Sequence, residues 1–225
     1  MVLSHIFFNN ILIISLMLIL GYFGSRGLLT WSEYLSREYE NELDTFIPVT
    51  RPVTENKWLM LIAAIVPLIC VAIACHLYGI QYPIILYVFA VSLFMVQFSL
   101  TDFLWQVIFD KQLALFAILG ISRLLVTGDG LVDCLVASVT GFVAFFLLAV
   151  ITRGGFGGGD VKLIGAMGLW LGSDLLLTTV IVGSILGGIV ALLLLITKKR
   201  GRREYYPYGP YFAITGMILF LLTRF

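Results

Sequence analysis

Three acidic residues carry the chemistry this sequence can offer: Asp102, Asp110 and Asp160. They lie in or beside apolar runs, where an ionisable side chain costs roughly 2.5–3.5 kcal/mol on insertion scales. Asp102 closes one such run in Ser99-Leu-Thr-Asp102-Phe. Asp110 follows eight residues later. Asp160 directly follows Gly154-Gly-Phe-Gly-Gly-Gly159 and precedes Val161-Lys162-Leu163. Two carboxyl groups brought together near a bilayer cannot both ionise cheaply, so they share a proton. Such a pair can hydrolyse a peptide bond. The carboxylate takes a proton from water, and its protonated partner hydrogen-bonds the scissile carbonyl. The diol then collapses as the leaving amine is protonated. The scheme needs no metal, cofactor or covalent intermediate. If 102–110 is one helix, Asp110 lies about 80° round from Asp102 and about 12 Å further along. Only one of the two can then meet Asp160, and helical geometry alone does not choose.

The glycine run suits a cavity wall. Five glycines in six residues supply backbone freedom and close approach without side chains. Irregular backbone at membrane depth is tolerated where it lines a cavity. Gly157, Gly159 and Lys162 are therefore assigned to an active-site loop. A flexible linker is the simpler alternative, but it does not account for an acid followed by a lysine and an apolar run. At a helix start, Asp160 would also face the positive end of the helix dipole. No G-x-x-x-x-G-K-[ST] phosphate loop is present. Lys162 is read first as a helix-end anchor that snorkels to the interface; tuning of the acid pair or contact with a substrate carbonyl is the second reading. His5 and His76 read as interfacial. Cys70, Cys75 and Cys134 lie in apolar stretches without a C-x-x-C pair, so packing is their role, with no zinc site or disulfide framework.

The elements that must position these residues are transmembrane helices. Of the 225 residues, 60% are hydrophobic and 12% charged, and the mean hydropathy is +1.05. A soluble domain is about 45–50% apolar and about 25% charged. The solvent for most of this surface is therefore the lipid bilayer. Apolar segments fall at 6–23, 58–78, 83–100, 113–127, 131–151, 161–172, 174–196 and 211–223. The expected fold is all-α and polytopic, with about eight transmembrane helices, or seven if the short 161–172 segment does not cross. The run over 6–20 has no preceding Lys or Arg and no following A-x-A-like site, so it reads as a retained first span. Net charge is +1, which gives no footprint for nucleic acid. A single transmembrane domain is expected over 1–225. Residues 26–57 read as a cytoplasmic loop in which the capping box Thr30-x-x-Glu33 starts a short surface helix. Gly168-x-x-x-Gly172 and Gly183-x-x-x-Gly187 have the spacing for close helix packing.

Gly157-Gly-Gly159-Asp160-Val161-Lys162-Leu163 resembles the G-x-G-D signature of type IV prepilin peptidases. Thr101-Asp102-Phe103 with Ile108-Phe-Asp110 is similar to that family's first aspartate segment, with Phe109 where the family usually has proline. Tyr206-Pro-Tyr-Gly-Pro210-Tyr resembles its Pro-Phe-Gly-Pro stretch. The resemblance covers about 83–223, the expected peptidase core. It implies an aspartic endopeptidase of the bacterial cytoplasmic (inner) membrane, with catalytic Asp102 and Asp160 and Asp110 as a neighbouring acid. Its substrates would be prepilins or pseudopilins, cut after short basic leaders. Bifunctional members carry two zinc-binding C-x-x-C pairs in the first cytoplasmic loop and methylate the new N-terminus. Residues 26–57 contain no cysteine, so zinc is not expected and S-adenosylmethionine-dependent methylation loses support.

A transporter or channel is the rival class, because intramembrane aspartates often line ion paths. That reading lacks matching broken helices in two halves and gives the glycine run and 206–211 no role. With the N-terminus outside and eight spans, all lysines and arginines except Arg123 and Arg224 fall on the cytoplasmic side, including Lys198, Lys199, Arg200, Arg202 and Arg203. A cysteine at position 201, in a chain without other cysteines, should be labelled by impermeant reagent only after the membrane is opened. Labelling from outside overturns this orientation.

Overall fold

The structure is a computed structural model that describes residues 2–43, 53–79, 82–128, 130–152, 156–197 and 206–223. Its elements are α1 (Val2–Leu43), a single 3-10 turn (Val53–Glu55), α2 (Lys57–Tyr78), α3 (Tyr82–Trp105), α4 (Asp110–Thr127), α5 (Leu131–Ile151), α6 (Gly158–Ile196) and α7 (Gly209–Thr223). No strand occurs among the described residues. The chain is an all-α, multi-pass membrane protein. Among the described residues, α2, most of α3, α5 and α6 are long and apolar enough to cross a membrane, and α7 is a shorter apolar helix. In lipid, every backbone polar group must find its partner within the protein, which a helix achieves by itself. Large apolar side chains such as Val132, Val139, Phe146, Ile185 and Leu192 face outward, as a lipid solvent requires.

The chain forms two compact units, Met1–Gln97 and Phe98–Phe225, where a single domain with a core over 83–223 is the sequence expectation. In the first unit, Pro67 interrupts α2. Its ring removes the N–H that would bond the carbonyl four residues back. The Ser25 hydroxyl of α1 donates to that carbonyl, Ala63 O, at 2.7 Å. Gln97 Nε2 donates to Ser32 Oγ at 2.9 Å. The capping box at Thr30 does not start a helix, because α1 continues through it to Leu43. Glu33 instead accepts from the Thr54 backbone N–H and hydroxyl, at 2.9 and 3.0 Å, and ties α1 to the 3-10 turn. A capping box needs its first residue outside the helix, and here the preceding turns are already wound. Residues 44–52, including Pro48 and Pro52, lie outside the described residues.

The second unit is built around α6. At Gly172 the backbone takes φ 74°, ψ −179° and divides the element into two limbs. They correspond to the separate segments 161–172 and 174–196 of the sequence. Asp133, in the first turn of α5, accepts from the Ser173 N–H with both oxygens, at 3.3 and 3.2 Å. That carboxylate caps the new helix start. Gly168 packs directly on α5, where any Cβ would overlap the Ser138 backbone. Gly183 and Gly187 receive the rings of Phe212 and Tyr208. Three of the four spaced glycines thus serve close packing, and Gly172 serves the break.

Gly168→Ala should destabilise the protein by about 1–3 kcal/mol, because α5 must move away from α6. Gly188→Ala is the control. Nothing lies within 4 Å of its added Cβ, and alanine should stabilise that helix by about 0.5–1 kcal/mol. Thermal unfolding in detergent measures both.

Candidate active site

The first wall of the site is the connection between α3 and α4. Asp102 sits in the last turn of α3. The helix stops at Trp105 because Gln106 adopts φ 57°, a left-handed conformation rare for a non-glycine residue. Phe109 is extended, fully buried and edge-on to Trp105 at 6.3 Å. Asp110 then starts a new helix. Residues 102–110 are therefore not one helix, and the two acids are separated by a change of chain direction rather than by helical phase.

The second wall is the start of α6. Gly157 is extended and precedes the helix, so only 158 and 159 of the run are helical. Gly154 and Gly155 lie outside the described residues. Asp160 is the third residue of the helix, and its Oδ2 accepts from the Gly157 N–H at 3.3 Å. This satisfies one of the donors that a helix start leaves open. Gly159 is pressed against the first wall. A Cβ there would stand 3.2 Å from the Ile108 Cβ.

The walls bring two acids to one point. Asp102 is 2% and Asp160 1% exposed. Both face Gly209, the first residue of α7. A Cβ on Gly209 would lie 2.6 Å from Asp102 Oδ2 and 3.2 Å from Asp160 Oδ1. The two oxygens are therefore no farther apart than those distances laid end to end. Among the described residues, Asp102 Oδ2 is buried with no hydrogen-bond partner. A cavity of about 410 Å3 opens beside the pair, lined by Asp102, Gln106, Val107, Ile108, Gly157, Gly158, Gly159 and Asp160. A cluster of aromatic rings packs beside the start of the glycine wall. Phe156, just before the glycines, meets Phe145 and Tyr208 at 5.3 Å each, and Phe145 meets Phe212 at 5.5 Å.

Lys162 and Asp110 belong together and not to this pair. Lys162 Nζ lies 2.7 Å from both Asp110 carboxylate oxygens. Residues 160 and 162 are about 200° apart on a helix, so Lys162 leaves α6 on the side opposite Asp160. The two form an ion pair between α4 and α6. Both its members are about half exposed, 47% for Lys162 and 51% for Asp110. Among the described residues, no three His, Cys, Asp or Glu side chains converge as a metal site would require. The lysine and arginine cluster at 198–203 lies outside the described residues.

Comparison with known proteins bears on the same residues. Residues 87–192 match the type IV leader peptidase family. Over this segment, a little under half of the chain, the sequence is similar to that family. The segment contains Asp102, Asp110, Gly157, Gly159, Asp160 and Lys162. Relatives named prepilin leader peptidase/N-methyltransferase include one from Bacillus subtilis (strain 168), 27% identical over 147 residues, which are 64% of this chain and 59% of the relative. Another, from Xanthomonas campestris pv. campestris, is 36% identical over 66 residues, 29% of this chain and 23% of the relative. A third, from Pseudomonas aeruginosa, is 31% identical over 94 residues, 40% and 32% of the two chains. The chain thus spans less than two thirds of each of these relatives. No solved structure matches it.

Gly209 lies beyond the segment matched to the leader peptidase family and was legible only as part of Tyr206–Tyr211, with no role of its own. Ile108 was legible only as part of Ile108-Phe-Asp110, with no contact to the glycine run foreseen. The contact at Gly209 makes a prediction. Gly209→Ala should cost about 1–3 kcal/mol of stability through overlap with the Asp102 carboxyl group. In an Asp102→Ala background the same change should cost much less, because the obstructing atoms are gone. Thermal unfolding of the four proteins measures the coupling, and equal costs in both backgrounds would refute the contact.

Proposed function

We propose that this chain is an intramembrane aspartic endopeptidase. It removes the short leader peptide of type IV prepilins or pseudopilins at the cytoplasmic face of the bacterial inner membrane. The observation that carries this reading is the convergence of Asp102 and Asp160, both buried, on Gly209. Similarity to the leader peptidase family over residues 87–192 and the names of the relatives support the substrate class.

Asp102 and Asp160 act as one unit with one proton between them. The ionised member takes a proton from a water in the cavity as that water attacks the scissile carbonyl carbon. The protonated member hydrogen-bonds the carbonyl oxygen. That member then gives its proton to the oxygen, forming a neutral tetrahedral diol. As the C–N bond breaks the amine takes the pair's remaining proton, and a diol hydroxyl returns its proton to the pair as the carbonyl re-forms, which restores the shared-proton state. Gly157 and Gly159 present bare backbone, so an extended peptide can lie against the wall that carries Asp160. Asp110 takes no part in the proton transfers, because Lys162 holds it on the other side of α6. Residues 26–57 contain no cysteine, so the N-methyltransferase half of the relatives' names has no matching zinc-binding motif here.

The test is co-expression with a candidate prepilin, followed by the mass and N-terminal sequence of the product. Mass also reports whether a methyl group is added. Asp102→Asn and Asp160→Asn should each lower cleavage by more than about a thousandfold while the protein still inserts, because asparagine keeps the shape but cannot relay the proton. The double substitution should add little, as for residues acting as a unit. Asp110→Asn should retain cleavage within about tenfold of wild type. A dead Asp110→Asn beside a normally active Asp102→Asn would overturn the assignment.

A further inference from the structure

We propose that the Asp110–Lys162 ion pair is a clasp that sets the width of the cleavage cavity, so that both are positioning residues. The proposal rests on the peptidase reading for its kinetic effect and on geometry for its existence. The cavity has two backbone walls, 106–108 and 157–159. Asp110 begins the helix that follows the first wall, and Lys162 is the fifth residue of α6, whose start forms the second. The pair therefore joins the two helix starts immediately behind the walls. Both carboxylate oxygens lie at the same 2.7 Å from Nζ, a charge-assisted contact that sets the distance between the two helices here.

Farther from the cavity, α4 and α6 are also joined by the Trp170 Nε1–H, which donates to the Phe116 carbonyl at 3.1 Å. Ile108 touches Gly159, but a contact against a bare glycine resists compression and does not resist separation. The first wall also begins at Gln106, whose left-handed backbone persists only when its surroundings hold it. If the clasp opens, that residue can relax and carry Val107 and Ile108 away from the glycines. The pair itself faces a separate groove of about 460 Å3 with Leu113, Ala117, Phe142 and Leu169 among its walls. Both charges are about half exposed, so the clasp is an orienting contact rather than a large source of stability. Because that groove is on the other side of α6 from Asp160, neither residue can touch a peptide in the cleavage cavity. Their influence must pass through the walls.

Two readouts test the clasp. The first is kinetic and uses Asp110→Asn, Lys162→Met and the swapped pair Asp110→Lys/Lys162→Asp. Each single substitution should lower kcat about tenfold, the scale of a small misplacement of reacting groups, with KM nearly unchanged and the unfolding temperature close to wild type. The swapped pair should recover most of kcat. A pair that only supports folding would lower the amount of folded protein and leave kcat per folded molecule unchanged. That result, or a swap as slow as the slower single variant, overturns the proposal. The second readout needs no substrate. Cysteines at 107 and 158, in a chain with Cys70, Cys75 and Cys134 replaced, should be bridged by a short crosslinker readily in the native and swapped pairs and slowly in either single variant. Equal bridging in all four overturns the clasp even where Asp102→Asn confirms the peptidase. Unequal bridging supports it even where no prepilin is cleaved.

Discussion

Two buried carboxyl groups are held against a single glycine, and the packing of the second unit follows from that requirement. Asp102 comes from the last turn of α3, Asp160 from the first turn of α6, and Gly209 from the first residue of α7. Three helix ends must therefore meet within a side chain's length. Any residue larger than glycine at 209 would occupy the space of the Asp102 carboxyl group. The remaining contacts of α6 are close for the same reason. Its first limb lies on the α5 backbone at Gly168, and its second limb takes the Tyr208 and Phe212 rings at Gly187 and Gly183. Those rings in turn seat Phe156 and the start of the glycine wall.

Helix interruptions are the means by which these ends are brought together, and each leaves a backbone group that lipid cannot satisfy. The structure answers each one locally. Ser25 serves the carbonyl freed by Pro67. Asp133 serves the amide freed at Gly172. Asp160 serves the Gly157 amide while presenting its other oxygen to Gly209. This last arrangement gives one side chain two tasks. A hydrogen bond that fixes the helix start also fixes the reacting group, so the glycine run need not be a loose loop to do its work.

The break at Gln106 separates two acids that are only eight residues apart. It leaves Asp102 buried and sends Asp110 to a lysine on the far side of α6. An acid with a cation at 2.7 Å from both oxygens is committed to that ion pair. An acid whose Oδ2 has no partner is available for chemistry. The difference between the two comes from their neighbours and not from their own type, and it supports the proposed roles of catalyst and positioning residue.

How much of this was legible in the sequence follows from which forces are local. Composition alone requires lipid as the solvent, and solvent determines the all-α, multi-pass class, because only internally bonded backbone survives there. The apolar segments fall within helices for the same reason. Asp102, Asp110 and Asp160 were visible as costly acids in apolar runs, and the glycine run marked a place of close approach. Helical periodicity could not choose between Asp102 and Asp110, since the choice turned on the backbone of Gln106, a residue type with no turn signal. The sequence motif at Thr30 misled because a capping box describes a helix start only when no helix already precedes it. Lys162 had no readable partner, because the acid it binds lies fifty-two residues away. The residue types and the membrane were determined by the sequence itself; the pairing of Asp102 with Asp160 and of Asp110 with Lys162 was decided by tertiary structure, because only the packed helix ends bring groups from distant turns within contact range.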